Sequence, residues 1–191
     1  MSSKDHIITL PNPHLKAKSE RVKVIDREIK KVIDEMMDAT LDWEASREHE
    51  VGVALAAIQI DQPYKIVVVR NNFDDKADHS FSVFINPEII KKDGKLEADF
   101  EGCLSVKDIY GKVPRYSKVR VRALNEKGQE VRVKAEGFLA RVFQHEVDHT
   151  NGLTFVDHIR DNPEAFYMLT DEGKLEKLDY EQVESTGILR D

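Results

Sequence analysis

The chain has 191 residues, 40% of them hydrophobic and 34% charged, with a formal net charge of −7. That composition suits a single soluble domain long enough to bury a core without staples. The negative balance argues against a dedicated nucleic-acid binder. The longest nearly apolar stretch, Val51 to Ile58, is far too short to span a bilayer. The N-terminal residues show neither an apolar h-region nor an Arg-rich amphipathic stretch, so no targeting segment is expected. A lone cysteine, Cys103, excludes an internal disulfide framework and leaves a thiol that is either inert core or chemically employed.

In chain order, Ile7 to Pro13 reads as an extended arm, because its two prolines oppose helix. A helix is expected from Asp26, its N-cap, with Ile29, Val32, Ile33, Met36, Met37 and Leu41 on one face. Trp43 to Glu50 is charged and reads as a loop. Val51 to Gln59 is apolar and rich in small side chains. Strands are expected at Lys65–Arg70 and Ser82–Asn86, both rich in β-branched residues, with a polar loop over Asn71–His79. Val119–Leu124 and Glu130–Ala135 alternate apolar with charged around the turn Asn125–Gly128, which predicts a hairpin. From Phe138 the period becomes helical, with Phe138, Leu139, Val142, Phe143 and Val147 on one side and Asn151-Gly152 as the stop. Residues 161–191 carry nine acids and three bases, and read as a solvated acidic tail or an amphipathic helix. Strands followed by one late helix make the class α+β.

The strongest chemical signal is His145-Glu146-Val147-Asp148-His149, a His-Glu-x-x-His pattern. On a helix the two histidines lie one turn apart on one face and can share a metal ion. Glu146, rotated by about 100°, reaches toward a water at that ion without being a ligand. The third ligand sets the subclass. A metzincin protease needs a further histidine where this chain has Phe155. A gluzincin needs a later glutamate, for which Glu172 is the candidate, although Asp171-Glu172-Gly173 looks like a turn. Cys103, in the polar and glycine-containing Glu101-Gly102-Cys103-Leu104-Ser105, offers a Cys-His-His site instead. A thiol hydrolase with Cys103 as nucleophile and a metal-stabilised binding module are the remaining readings. Gln59 ends an apolar run with a polar amide, a donor suited to a substrate oxyanion.

Three ordered segments resemble peptide deformylase: Gly52 to Gln59, Glu101 to Ser105, and Gln144 to His149. The Pro-x-Pro-x-Leu arm and Val113-Pro114-Arg115 are similar too. The likeness covers residues 7 to 160 and looks closest to Gram-positive-type members, whose loop after Glu-Gly-Cys-Leu-Ser is longer, as Val106 to Val113 is here. It implies antiparallel sheets packed around a central helix that carries the His-Glu-x-x-His motif. It also implies a catalytic domain over residues 1–160, followed by an acidic extension over 161–191. The implied activity is removal of the formyl group from N-formylmethionine of new polypeptides, releasing formate. By the same resemblance Cys103, His145 and His149 hold one divalent metal, Fe²⁺ natively, with Zn²⁺, Ni²⁺ or Co²⁺ as alternatives. Glu146 is the general base, Gln59 and the Leu104 N–H are the oxyanion donors, and Gly52, Val53, Ala54, Glu101 and Gly102 bind substrate. Glu101 and Ser105 also support the ligands from behind, and Asp148 orients a ligand histidine. Ala54 stands where the family has a second glycine, so a methyl either narrows the groove or opposes a positive φ there. The expected setting is a cytoplasmic monomer that meets nascent N-formylmethionyl chains, with the ribosome as a transient partner and with neither a nucleic-acid site nor a membrane. The acidic tail does not resemble the basic helix with which some members dock on ribosomes.

Overall fold

A computed structural model describes residues 6–190. Residues 1–5, most of the stretch read for a targeting segment, lie outside them. The first helix, α1 (Arg27–Ala45), begins as expected, with Asp26 Oδ1 accepting from the Glu28 and Ile29 amides at 3.0 Å. It buries Ile29, Val32, Ile33 and Met36, while Met37 and Leu41 sit half-buried at the edge of that face. α1 runs on through Trp43 and Glu44, which the charge pattern had placed in a loop. The reason is tertiary: Glu44 meets the fully buried Arg70 at 2.5 Å and accepts from the Gly52 amide at 2.8 Å.

The strands are β1 (Ala54–Ala56), β2 (Ile66–Arg70), β3 (Phe81–Cys103), β4 (Val106–Leu124), β5 (Glu130–Glu136), β6 (Phe166–Leu169) and β7 (Leu175–Lys177). A 3₁₀ turn over Ala57–Ile60 follows β1 and carries Gln59. The ladders between these strands are antiparallel and form one sheet in the order β1-β2-β3-β4-β6-β7, with β5 also on β4. β3 is far longer than the strand expected at Ser82–Asn86. Its exposed stretch from Lys91 to Phe100 opens on charges and Gly94 and alternates only from Lys95 to Phe100, and its ladder with β4 holds it extended through several register shifts. Val106 to Val113, expected as a loop, is the opening of β4 for the same reason. The predicted hairpin is β4–β5, closed by Asn125, whose side chain accepts from the Lys127 and Gln129 amides at 3.0 Å.

The second helix, α2 (Gly137–His149), packs against β4, β5, β1 and β3. Gln144 clamps it to β4 by accepting from the Tyr116 amide at 3.1 Å and donating to its carbonyl at 2.8 Å. Gly152, at φ +78°, ends the helical region where a Cβ would lie 2.3 Å from the Lys16 carbonyl oxygen. The acidic segment after residue 160 is not a solvated tail; it includes a short amphipathic acidic helix, but two strands as well. β6 pairs with β4, and α3 (Tyr180–Thr186) follows β7. Phe166, Leu178, Val183 and Ile188 share one hydrophobic cluster with Leu10, Ile109, Phe155 and Cys103. Beyond the apolar run from Ala165 to Leu169, the buried anchors Leu178 and Val183 stand singly among acids, which hid them. Among the described residues no helix is long and apolar enough to cross a membrane.

Candidate active site

Cys103 is the last residue of β3, held at the mouth of a tight hairpin in which Leu104 and Ser105 connect it to Val106, its ladder partner on β4. His145 and His149 face it from the last turns of α2. His149 Nε2 lies 3.3 Å from Cys103 Sγ and 3.2 Å from His145 Nε2. All three donor atoms fall within 4.8 Å of one another. Tetrahedral metal–nitrogen and metal–sulfur bonds place neighbouring donors about 3.3–3.8 Å apart, so this set is on the scale of a shared ion. Burial holds His149 well below the ordinary imidazole value, which keeps it neutral, the form that ligates. At His145 burial acts the same way, but the Cys103 and Glu101 contacts outweigh it and hold the ring well above that value. The surroundings therefore favour a positive charge at this point, as a metal ion would supply.

Behind His145 stands Glu101. Its Oε1 accepts from Arg115 Nε at 2.9 Å and Arg141 Nη1 at 2.8 Å. Its Oε2 accepts from Arg115 Nη2 at 3.1 Å and pairs with His145 Nδ1 at 2.9 Å. Burial alone would push this carboxyl up. The His145 and Arg115 bonds prevail and hold it well below the usual carboxylate range. Glu101 thus has both oxygens engaged by Arg115, Arg141 and His145, and it also lines the neighbouring cavity. Through Nδ1 it turns the free nitrogen of His145 toward Cys103. Asp148, expected to orient His145 or His149, makes its hydrogen bonds elsewhere. It meets Arg115 Nη1 at 2.5 Å and His158 Nε2 at 2.7 Å, and acts on His145 only through Arg115 and Glu101. The sequence reading missed both arginines as site residues. Each carried a signal: Arg141 precedes His145 by one helical turn, and Arg115 of β4 ends the Val113-Pro114-Arg115 segment that shares the resemblance.

Glu146 is buried, and its Oε2 has no hydrogen-bond partner among the described residues. Burial pushes its carboxyl up to about 7, a value suited to taking and returning a proton near neutral pH. Gln59 is 1% exposed. Its Oε1 accepts from the Ala56 amide at 2.9 Å, and its NH₂ reaches Ser105 Oγ at 3.1 Å and Cys103 Sγ at 3.5 Å. The N-terminal arm straps this corner, with Ile8 N–H on the Gln59 carbonyl at 2.8 Å and Leu10 N–H on the Ser105 carbonyl at 2.9 Å.

Glu146, Gln59, Cys103 and Leu104 open into a cavity of about 280 Å³. Val53 and Ala54 form one side, Phe138 and Val142 of α2 another, and Phe100, Gly102, Tyr110 and His49 a third. β1 is the edge of the sheet and pairs only with β2. Ala54 lies in that strand outside the positive-φ region, so its methyl costs no backbone strain. At Gly52 a Cβ would lie 2.7 Å from Thr40 Cγ2 and 2.8 Å from the Thr40 carbonyl oxygen, so this glycine lets the chain pack against α1. Glu172, the alternative third ligand, is an exposed residue of the β6–β7 turn paired with Lys174 at 2.7 Å.

Comparison with known proteins agrees with this geometry. The model of the polypeptide deformylase family matches residues 4–164. The chain is 43% identical over 154 residues to a peptide deformylase of Aquifex aeolicus, covering 81% of this chain and 86% of the relative. It is 40% identical over 188 residues to one from Rhodopirellula baltica, covering 97% and 87%. In three dimensions it resembles the crystal structure of a Synechococcus elongatus peptide deformylase in complex with actinonin, with TM-score 0.72, 34% identity, and coverage of 80% of this chain and 78% of that one. The enzyme from Legionella pneumophila gives TM-score 0.70 at 36% identity, with coverage of 80% and 83%. The chain belongs to the polypeptide deformylase family, metal-dependent hydrolases that remove the formyl group from N-formylmethionine at the start of newly made polypeptides.

Proposed function

We propose that deformylation in this chain is carried out by Cys103, His145 and His149 as metal ligands, Glu146 as general base, and Gln59 with the Leu104 N–H as oxyanion donors. The observation that carries this assignment is the convergence of the three ligand atoms beside an unpartnered, buried Glu146 oxygen in one cavity. A divalent ion held there supplies Lewis acidity to water and to the formyl oxygen. Glu146 takes the proton of the attacking water and returns it to the departing amine. The Leu104 N–H and the Gln59 amide steady the negative charge that develops on the formyl oxygen, Gln59 by turning one N–H away from Cys103. Val53 and Ala54, at the start of the edge strand β1, take the peptide as an added strand, with Gly102 opposite. Glu101 fixes the His145 tautomer.

Fe²⁺ is the proposed native ion; the same donors accept Zn²⁺, Ni²⁺ and Co²⁺. The proposed catalytic unit is residues 1–160, around the α2 helix as its centre, with 161–191 as an extension folded onto it. The protein works as a cytoplasmic monomer that meets nascent chains transiently at the ribosome. The test is formate release from a formyl-Met tripeptide by protein purified anaerobically with iron, beside the acetyl-Met analogue. Rapid release with the acetyl peptide inert is expected. No release from fully metallated protein would overturn the assignment.

A further inference from the structure

The segment beyond the family match, which ends at residue 164, does more than cover the core. Its β6–β7 hairpin touches the third cavity wall at three places. Tyr167 packs edge-on against Phe100, with ring centroids 4.8 Å apart and planes at 89°. Tyr167 is also the ladder partner of Tyr110, whose ring lies so close to Gly102 that a Cβ there would fall 2.7 Å from it. The hairpin turn sits on His49: Nε2 lies 3.2 Å from the Asp171 carbonyl oxygen, and a Cβ on Gly173 would be 2.8 Å from the ring. Phe100, Tyr110 and His49 all line the cavity, whereas no hairpin residue does.

Position along the strand says which part of a substrate this wall meets. Phe100 is three residues before Cys103 on β3, about 10 Å away in extended chain. An extended peptide with its formyl end at Cys103 spans that distance in about three residues. The wall thus faces the residues after methionine. We infer that the β6–β7 hairpin is a positioning element that holds Phe100, Tyr110 and His49 against the downstream part of the formyl-peptide, and so sets affinity for chain length. The inference rests on the functional reading above.

The test compares formyl-Met-Ala with a formylated tetrapeptide on iron-loaded wild type, Tyr167→Ala, Tyr167→Phe and His49→Ala, with bound iron measured in each. Loss of an edge-to-face aromatic contact predicts a KM for the tetrapeptide raised about three- to ten-fold in Tyr167→Ala, with kcat little changed. In that variant KM for formyl-Met-Ala and the iron content should match wild type, and Tyr167→Phe should restore the tetrapeptide KM. His49→Ala, an exposed position whose loss spares the core, should raise the tetrapeptide KM in the same sense. Equal losses on both peptides, or no change for the tetrapeptide in both alanine variants, would overturn the inference. Failure of wild type on either peptide would instead overturn the functional reading.

Discussion

Glu101→Gln tests the support behind the metal site with one isosteric change. The carboxylate accepts from Arg115, Arg141 and His145, and the amide keeps only one of its two acceptor oxygens. Its NH₂ must face either an arginine N–H or His145. If it donates to His145 Nδ1, the ring proton moves to Nε2, the nitrogen that faces Cys103, and that nitrogen can no longer ligate. Removing one partner of a buried ionic network costs about 3–5 kcal/mol. For a domain of this size that corresponds to a melting temperature lower by about 6–20 °C. A lost supporting bond to a ligand histidine weakens metal binding by about 10- to 100-fold. Thermal melts of the metal-free proteins read the first effect, and competition with a chromophoric chelator reads the second. Because the folded carboxyl titrates below its unfolded value of about 4.3, its ionised form stabilises the fold above that pH, and the contribution fades as pH falls through the folded value. The gap between wild type and variant should therefore close in acid. A variant that melts within about 2 °C of wild type and holds metal equally well would refute the reasoning.

Other outcomes follow from the same geometry. Glu146→Ala should bind metal stoichiometrically yet lose turnover by at least about 10²-fold, and near-normal turnover with full metal would remove Glu146 from the role of base. Cys103→Ala should be isolated with substoichiometric metal by elemental analysis; full occupancy would exclude the thiolate as a ligand. Gly52→Ala should destabilise by about 1–3 kcal/mol through collision with Thr40, and an unchanged denaturant midpoint would show that α1 yields there. Asp157 accepts from Lys16 Nζ at 2.6 Å and the Thr154 amide at 2.7 Å. Burial raises its carboxyl, but these bonds hold it below its ordinary value. Asp157→Asn should therefore lose stability at neutral pH, and the deficit should shrink as the wild-type carboxyl is protonated in acid.

The sequence by itself determined the parts whose chemistry is local. The α1 cap at Asp26, the β4–β5 hairpin around Asn125, and the helix that presents His145, Glu146 and His149 on adjacent faces all follow from spacing of a few residues. Cys103 was legible as the sole thiol, set in a polar, glycine-containing sequence, although it ends β3 and is buried. Only the tertiary structure decided the rest. The charged middle of β3 and the start of β4 are held by their ladder with each other, a pairing that their local composition does not announce. Trp43 and Glu44 stay helical because Arg70, 26 positions past Glu44, pairs with that carboxylate. Glu101 meets His145 because Arg115 and Arg141, from β4 and α2, share its oxygens in one buried network. The acidic C-terminal segment joined the core because a few apolar side chains, Phe166 and Val183 among them, found Ile109 and Phe155 across the fold. Spacing along the chain encodes what neighbours in sequence can share; charge pairing and burial between distant segments are fixed only when the chain has closed on itself.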